Sequence, residues 1–223
     1  MKTLAIITAR GGSKRIPRKN IKEFCGKPIL AYSIEAALKS GLFDEVMVST
    51  EDKEIAEVAK KYGATVPFFR SEKTANDFAT TGEVLNEVLE MYKDIGKEFD
   101  IYACIYPTAP FITSERLKDS YEEFLKTNSH SLMPVVKFSF PPQRGMKIVD
   151  GTLEFVWPEN ALKRSQDLEP MYHDCGQFYF YSTDPERKGV TPYILSEIEV
   201  QDIDNIEDWE IAEVKYKLLH KEG

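Results

Sequence analysis

Apolar positions alternate between two periodicities through the first 136 residues of the chain. Residues 4–9 form a short, nearly continuous apolar run, as a strand covered on both faces requires. Leu30, Ile34, Ala37 and Leu38 then share a face at helical spacing, with Pro28 suited to the first turn and Gly41 to the stop. Residues 45–49 read as the next strand, and Ile55, Val58, Ala59 and Tyr62 mark a helix that Gly63 closes. The alternation continues with a strand at 65–68, a helix at 81–93 and a strand at 101–106. Leu117, Tyr121, Phe124 and Leu125 mark a further helix, followed by a strand at 131–136. Strands and helices in this order predict an α/β fold: a Rossmann-like, mostly parallel sheet with helices on both faces.

The pattern breaks over residues 138–172, which carry Pro141, Pro142, Pro158 and Pro170 and a hairpin signal at Asp150-Gly151. This stretch reads as a small extended arm leaving the sheet. Strands return at 177–182 and 194–200, and a helix follows at 206–219. With no internal repeat or low-complexity stretch, residues 1–223 read as one domain with an excursion at about 138–172.

Composition narrows the function classes. A hydrophobic share of 42%, with 13 Phe and 11 Tyr, supplies a core and excludes whole-chain disorder. The 29 Lys and Arg against 37 Asp and Glu give a formal charge of −8, which argues against nucleic acid as a partner. Cys25, Cys104 and Cys175 are odd in number and lack a Cys-x-x-Cys pair, so neither a disulfide framework nor a Cys-based zinc site is expected, and a reducing cytoplasm suits them. The N-terminal apolar run stops at Arg10, too short for a secretory segment or a bilayer span, so no membrane partner is expected.

The strongest chemical signal is Arg10-Gly11-Gly12-Ser13-Lys14-Arg15-Ile16-Pro17-Arg18-Lys19-Asn20, directly after the first strand. Five cations and two glycines in eleven residues, at the carboxyl end of a strand in an open α/β sheet, suit an anionic ligand. A solvated basic loop is the competing reading on composition alone. Neither a Gly-x-x-x-x-Gly-Lys-Ser/Thr loop nor a Gly-x-Gly-x-x-Gly fingerprint is present. Asp202-Ile203-Asp204 places two carboxylates at i and i+2 of an extended segment, a spacing that can share a hard divalent cation. The same acids, with Glu207 and Asp208, would equally serve as the acidic first turn of the last helix. Asp77 reads equally as a ligand or as a helix cap upstream of Thr81. His173 and Cys175 lack the neighbours a metal site or nucleophile needs and read as wall residues, and most of the aromatics read as core.

The loop, with Asn20-Ile21-Lys22 and Gly26-Lys27-Pro28-Ile29-Leu30, resembles the N-terminal motif of the acylneuraminate cytidylyltransferase family. The resemblance extends in order through Asp44-Glu45-Val46-Met47-Val48-Ser49-Thr50-Glu51-Asp52, Phe69-Arg70 with Asp77 and Thr80-Thr81, and Tyr106-Pro107-Thr108-Ala109-Pro110. It continues at Arg164-Ser165-Gln166-Asp167-Leu168, Gly176-Gln177-Phe178-Tyr179 and Asp202-Ile203-Asp204 with Glu207-Asp208-Trp209.

What the resemblance implies is transfer of CMP from CTP to the anomeric hydroxyl of a nonulosonic acid, with release of pyrophosphate. It implies that Arg10, Lys19, Asp202 and Asp204 carry catalysis, and that Gly11, Gly12, Ser13, Lys14, Asn20, Arg70 and Thr81 join Arg10 and Lys19 on the nucleotide. Asp202 and Asp204 would hold Mg²⁺; Tyr106, Gln166, Gln177 and Tyr179 would line the sugar; the arm would join a homodimer. Sialic-acid members usually carry Gln at the position of Tyr106 and Asn-Gly-Ala where this chain has Cys175-Gly176-Gln177. The segments 14–22 and 164–179 look closest to members acting on pseudaminic acid, a diacetamido sugar with a 9-deoxy end, while legionaminic and N-acetylneuraminic acid remain alternatives. A metal-dependent glycosyltransferase or a non-catalytic nucleotide- or sugar-binding protein are the competing classes; the first usually carries Asp-x-Asp in mid-chain, and here the pair begins at residue 202 of 223.

Overall fold

A computed structural model describes residues 1–220. Strand β1 (Thr3–Thr8) sends Ala5 and Ile7 to one side of the sheet and Leu4 and Ile6 to the other, and all four are fully buried. A two-strand hairpin, β2 (Glu23–Phe24) and β3 (Lys27–Pro28), then leads into α1 (Ile29–Ser40). The order continues β4 (Glu45–Ser49), α2 (Lys53–Lys61), α3 (Glu72–Ala75), α4 (Thr81–Asp94), β5 (Ile101–Ile105), α5 (Ser114–Lys126) and β6 (Ser131–Lys137). The arm holds β7 (Met146–Val149) and β8 (Thr152–Phe155); β9 (Tyr172–Asp174), β10 (Phe178–Ser182), β11 (Val190–Leu195) and α6 (Ile206–Leu219) follow.

The seven-stranded sheet runs β11-β6-β10-β5-β1-β4, with β9 paired to the far half of β6. β4, β1 and β5 are parallel neighbours, as are β6 and β11, while β10 and β9 run antiparallel. Helices cover both faces. α1, α2 and α5 bury Leu30, Ile34, Ile55, Leu117 and Phe124 on one; α4 buries Leu85, Val88 and Tyr92 on the other. α6 packs Trp209 and Ala212 with Ile16, Phe24 and Ile203, so the last helix holds the basic loop and its hairpin in place. The expected mostly parallel α/β architecture is what the chain adopts.

Several boundaries differ from the sequence reading. Residues 65–68 contribute only a single parallel bridge, Met47 to Thr65, because the segment turns away after one residue. The strand expected at 194–200 lies at Val190–Leu195 instead; Ser196 and Glu199 then close a capping box that forces a 3-10 turn over Glu197–Glu199. Pro28 ends a strand and precedes the helix rather than opening it, and Leu38 is 42% exposed. In the arm, Asp150 and Gly151 both take positive φ (48° and 80°), the two-residue turn that Asp-Gly favours. The arm leaves Phe140, Ile148, Leu153 and Leu162 exposed.

Phe180 lies at the centre of the larger core, fully buried and stacked with Phe43 and Phe124 across the sheet–helix interface. Phe180→Ala is expected to destabilise the fold by about 3–5 kcal/mol. A urea midpoint within error of the parent would show that this aromatic stack does not hold the layers together.

Candidate active site

The carboxyl ends of β1 and β5 open onto one cavity of about 560 Å³. Its lining brings together Arg10, Ser13, Lys14, Lys19, Asn20, Arg70, Thr81, Tyr106 and Asp204 from the residues singled out in the sequence. Asp77, which the sequence left open between ligand and helix cap, joins them, as do Arg15, Thr8 and Thr108. Thr8 and Thr108 follow a rule that sequence reading could have applied: polar residues at or just after the end of a parallel strand face the crevice beyond it.

The loop is held in shape by contacts from three directions. Arg18 adopts a left-handed backbone (φ 55°) and grips Asp52 with two nitrogens, at 2.5 and 3.1 Å. Asp52 is also the N-cap of α2, accepting from the backbone N–H groups of Glu54 and Ile55. Its carboxyl is lowered to about 2, first by the Arg18 hydrogen bond. Gly11 donates its N–H to Glu51 Oε1 at 2.7 Å, so that amide is engaged by the scaffold. A Cβ on Gly11 would lie 2.7 Å from Asp52 Oδ2; close packing against Asp52 therefore requires glycine here, whereas a Cβ on Gly12 would meet nothing. Asn20, buried, donates to the Arg10 carbonyl at 2.8 Å and braces the loop from within.

Lys19 joins the two ends of the chain. Its Nζ donates to the Ile203 carbonyl at 2.6 Å, placing the ammonium between Asp202 and Asp204 in sequence. Burial pulls the Lys19 pKa down, and Asp204 and Asp202 oppose that fall. The Asp202 carboxyl is raised by burial first and by the Asp204 charge second, so the pair repel each other. Arg15 offsets Asp204 with an ion pair at 2.9 Å. Among the described residues no group of three or more His, Cys, Asp or Glu converges. Two hard carboxylates that repel each other, Asp204 on the cavity lining and Asp202 two residues before it, fit Mg²⁺, which completes its shell with water and phosphate oxygens.

Arg70 is buried, and its guanidinium bonds Ser49 Oγ (3.1 Å) and the Ser49 carbonyl (2.9 Å). Asp77 reaches across the cavity mouth to Arg10 at 2.6 Å and also pairs with Lys14. Lys14 first, and Arg10 with it, hold the Asp77 carboxyl below its usual range. Asp77 does not cap α4: Thr80 does, in a capping box with Glu83. Tyr106 forms the aromatic wall, with its hydroxyl 3.5 Å from Thr81 Oγ1.

Six of the residues singled out lie off the cavity lining, Gly11 and Gly12 of the loop among them. Tyr179 is buried behind Tyr106, ring centroids 5.6 Å apart. Gln177 is 1% exposed and donates to the Glu199 carbonyl at 2.8 Å, which ties β10 to the 3-10 turn. Gln166 stands exposed on a 3-10 turn of the arm. Asp202 lies beside Gly176, whose Cβ would come within 3.9 Å of Asp202 Oδ1. His173 packs on Phe138 at 4.6 Å. Burial pushes the Cys175 thiol up to about 12, against any nucleophilic use.

A mostly parallel sheet whose strand ends carry a cation-rich loop beside Asp204 has the architecture of a nucleotidyltransferase. The comparisons with known proteins narrow the class. The family model described as Cytidylyltransferase matches residues 4–186, and the chain belongs to that family. It is 42% identical over 229 positions to the pseudaminic acid cytidylyltransferase of Campylobacter jejuni, covering 99% of both chains. It is 35% identical to the CMP-N,N'-diacetyllegionaminic acid synthase of Legionella pneumophila, covering 96% of this chain and 95% of that one. Among solved structures, CMP:2-keto-3-deoxy-manno-octonic acid synthetase complexed with CTP superposes with a TM-score of 0.72 at 16% identity, over 98% of this chain and all of that one, a likeness of fold.

Asp77 occupies two cations that a triphosphate would need. Asp77→Asn is expected to tighten CTP binding about two- to tenfold, because the nucleotide no longer displaces an internal anion. Calorimetric titration of CTP would show weaker binding instead if Asp77 were a ligand of the nucleotide.

Proposed function

We propose that this cytidylyltransferase couples CMP to pseudaminic acid, in the cytoplasm and as a homodimer. The observation that supports the reading is the Lys19–Ile203 bond, which ties the basic loop to the segment carrying Asp202 and Asp204, with Asp204 on the cavity lining. The 42% identity to a relative of that name over 99% of both chains supports the choice of sugar.

In this reading the anomeric hydroxyl oxygen attacks the α-phosphorus of CTP, the bond to the β-phosphate oxygen breaks, and pyrophosphate leaves in line. Arg10, Lys14 and Lys19 neutralise the triphosphate, with Ser13 as a neutral donor. Arg70 and Thr81 border the nucleotide, and Asn20 keeps the loop closed around it. Positioning and charge neutralisation supply most of what such a transfer needs. Bound to Asp202 and Asp204, Mg²⁺ would add positive charge at the α-phosphate and acidify the attacking hydroxyl. The hydroxyl proton passes to solvent or phosphate; the residues at hand name no general base.

Tyr106 supports the sugar assignment through its contrast with the Gln that sialic-acid members usually carry at this position. Its one hydroxyl supplies a single donor hydrogen, where an amide would offer two and a separate acceptor oxygen. N-acetylneuraminic acid would bring hydroxyls without partners, each costing about 1–3 kcal/mol. The exposed apolar side chains of the arm support the dimer, in which Gln166 would be carried toward a second subunit.

Pyrophosphate release from CTP and Mg²⁺, measured with pseudaminic, legionaminic and N-acetylneuraminic acids, tests the reaction and the sugar together. Pseudaminic acid is expected to exceed N-acetylneuraminic acid by about tenfold or more in kcat/KM. Asp204→Asn should lower turnover about a hundredfold with the fold intact. Equal use of N-acetylneuraminic acid overturns the sugar assignment, and full turnover by the Asp204 variant overturns the metal assignment.

Light scattering at micromolar concentration is expected to give twice the 25.5 kDa chain mass. A fully active monomer would remove the arm from the site.

A further inference from the structure

Behind the aromatic wall lies a carboxylate that the reading above leaves without a role. Asp174 ends β9, the strand that returns from the arm and pairs with β6, Val135 opposite Asp174. Tyr179 Oη donates to both of its oxygens, at 2.8 and 2.7 Å, and the Gly176 N–H donates to Oδ1 at 2.8 Å. Gly176 has a φ of 61°, the left-handed conformation that bends the chain so that its own N–H meets the Asp174 side chain. Asp174 thus differs from the other carboxylates around the site. Asp52, Asp77 and Asp204 face Arg or Lys; Asp174 is held by neutral donors.

The bond matters most for Tyr179. That ring is 6% exposed, and its phenol needs an acceptor to be buried without penalty. Burial, and then the Asp174 bond, raise its pKa, so the hydroxyl stays a donor to Asp174. The ring is pinned at one end by this bond and in its middle by Tyr106 and Tyr181, at 5.6 and 6.4 Å. Tyr106 in turn faces the cavity and reaches Thr81. A chain of contacts therefore runs from the base of the arm to the cavity wall: Asp174, Tyr179, Tyr106.

We propose that Asp174 is a positioning residue for the sugar: by fixing Tyr179 it sets the placement of the Tyr106 wall, and with it the affinity for the nonulosonic acid but not for CTP. The inference rests on the cytidylyltransferase reading of the cavity. Its logic is steric and electrostatic. Without the Asp174 bond nothing holds the hydroxyl end of Tyr179 in place, and the ring is released to shift against Tyr106. The phosphate cations sit on the basic loop, whose own clamps are Asp52 and Glu51, so they should not register the change.

Steady-state pyrophosphate release by the full chain tests this, with pseudaminic acid and CTP varied in turn. Asp174→Ala and Tyr179→Phe are each expected to raise KM for the sugar about tenfold, the size of one lost buried partner, while KM for CTP stays within about twofold. The double variant should be no worse than the more severe single, because both remove one bond. Asp174→Asn, which keeps an acceptor oxygen, should recover to within about threefold of the parent. Tyr179→Phe keeps the ring and serves as the probe if Asp174→Ala fails to fold. Parallel rises in both KM values, additive effects in the double variant, or an unchanged sugar KM would overturn the proposal. A parent that binds CTP yet transfers CMP to none of the three nonulosonic acids would instead overturn the reading on which it rests, and the proposal with it.

Discussion

Five like charges within eleven residues have to be held at one place by a protein whose net charge is −8. The structure resolves this by giving the cations internal partners drawn from separate parts of the chain. Arg18 is clamped by Asp52 and Glu54 after β4, Arg10 and Lys14 by Asp77 before α4, and Arg15 by Asp204 before α6. Lys19 is the exception, buried against a carbonyl. The loop's charge distribution is therefore a consequence of the whole fold being assembled. Asp52 is the firmest of these anchors because one carboxylate caps a helix and binds a guanidinium. Its pKa near 2 lies below the unfolded value of about 3.9. The stability it contributes is thus full above pH 4 and fades as pH falls through 2.

Much of this fold was legible because burial on two faces leaves a plain signature. β1, β5 and β10 are runs of apolar residues, and α1, α4 and α6 lie within a residue of the expected bounds. What failed was set by tertiary context. Thr65 looks like the start of a strand, but its neighbours leave the sheet after a single bridge. Residues 194–200 are apolar enough for a strand, yet Ser196 and Glu199 cap each other and convert the second half to a turn. The β2–β3 hairpin is two residues per strand, too short for any periodicity to register.

The site was legible where function and charge coincide, and opaque where a polar residue serves the scaffold. Arg10, Lys14 and Asp204 reach the cavity because nothing apolar competes for them. Gln177 carries the same polar signal, but its amide is spent on Glu199. Gly11 looks like a phosphate-approach glycine; its N–H is taken by Glu51 and its missing Cβ makes room for Asp52. Arg70 resembles a surface arginine in sequence, and only the fold turns it inward onto Ser49. Residue type alone cannot separate these cases, because the hydrogen-bond partners lie 21 to 40 positions away in the chain.

The division of the cavity has a chemical consequence. On the loop side the cations are matched by internal carboxylates, Asp52, Asp77 and Asp204, beside bonds from Asn20 and Lys19 to backbone carbonyls. On the proposed reading Asp77 would give way to phosphate, anion for anion, with little change in local charge. On the far side the wall is aromatic, and its geometry is fixed by ring contacts and by the Tyr179 hydroxyl, which donates to the Asp174 carboxylate. The two halves are braced by different residues. On the proposed reading, an aromatic at position 106 would bear on which sugar fits and leave undisturbed the cations that would hold the triphosphate.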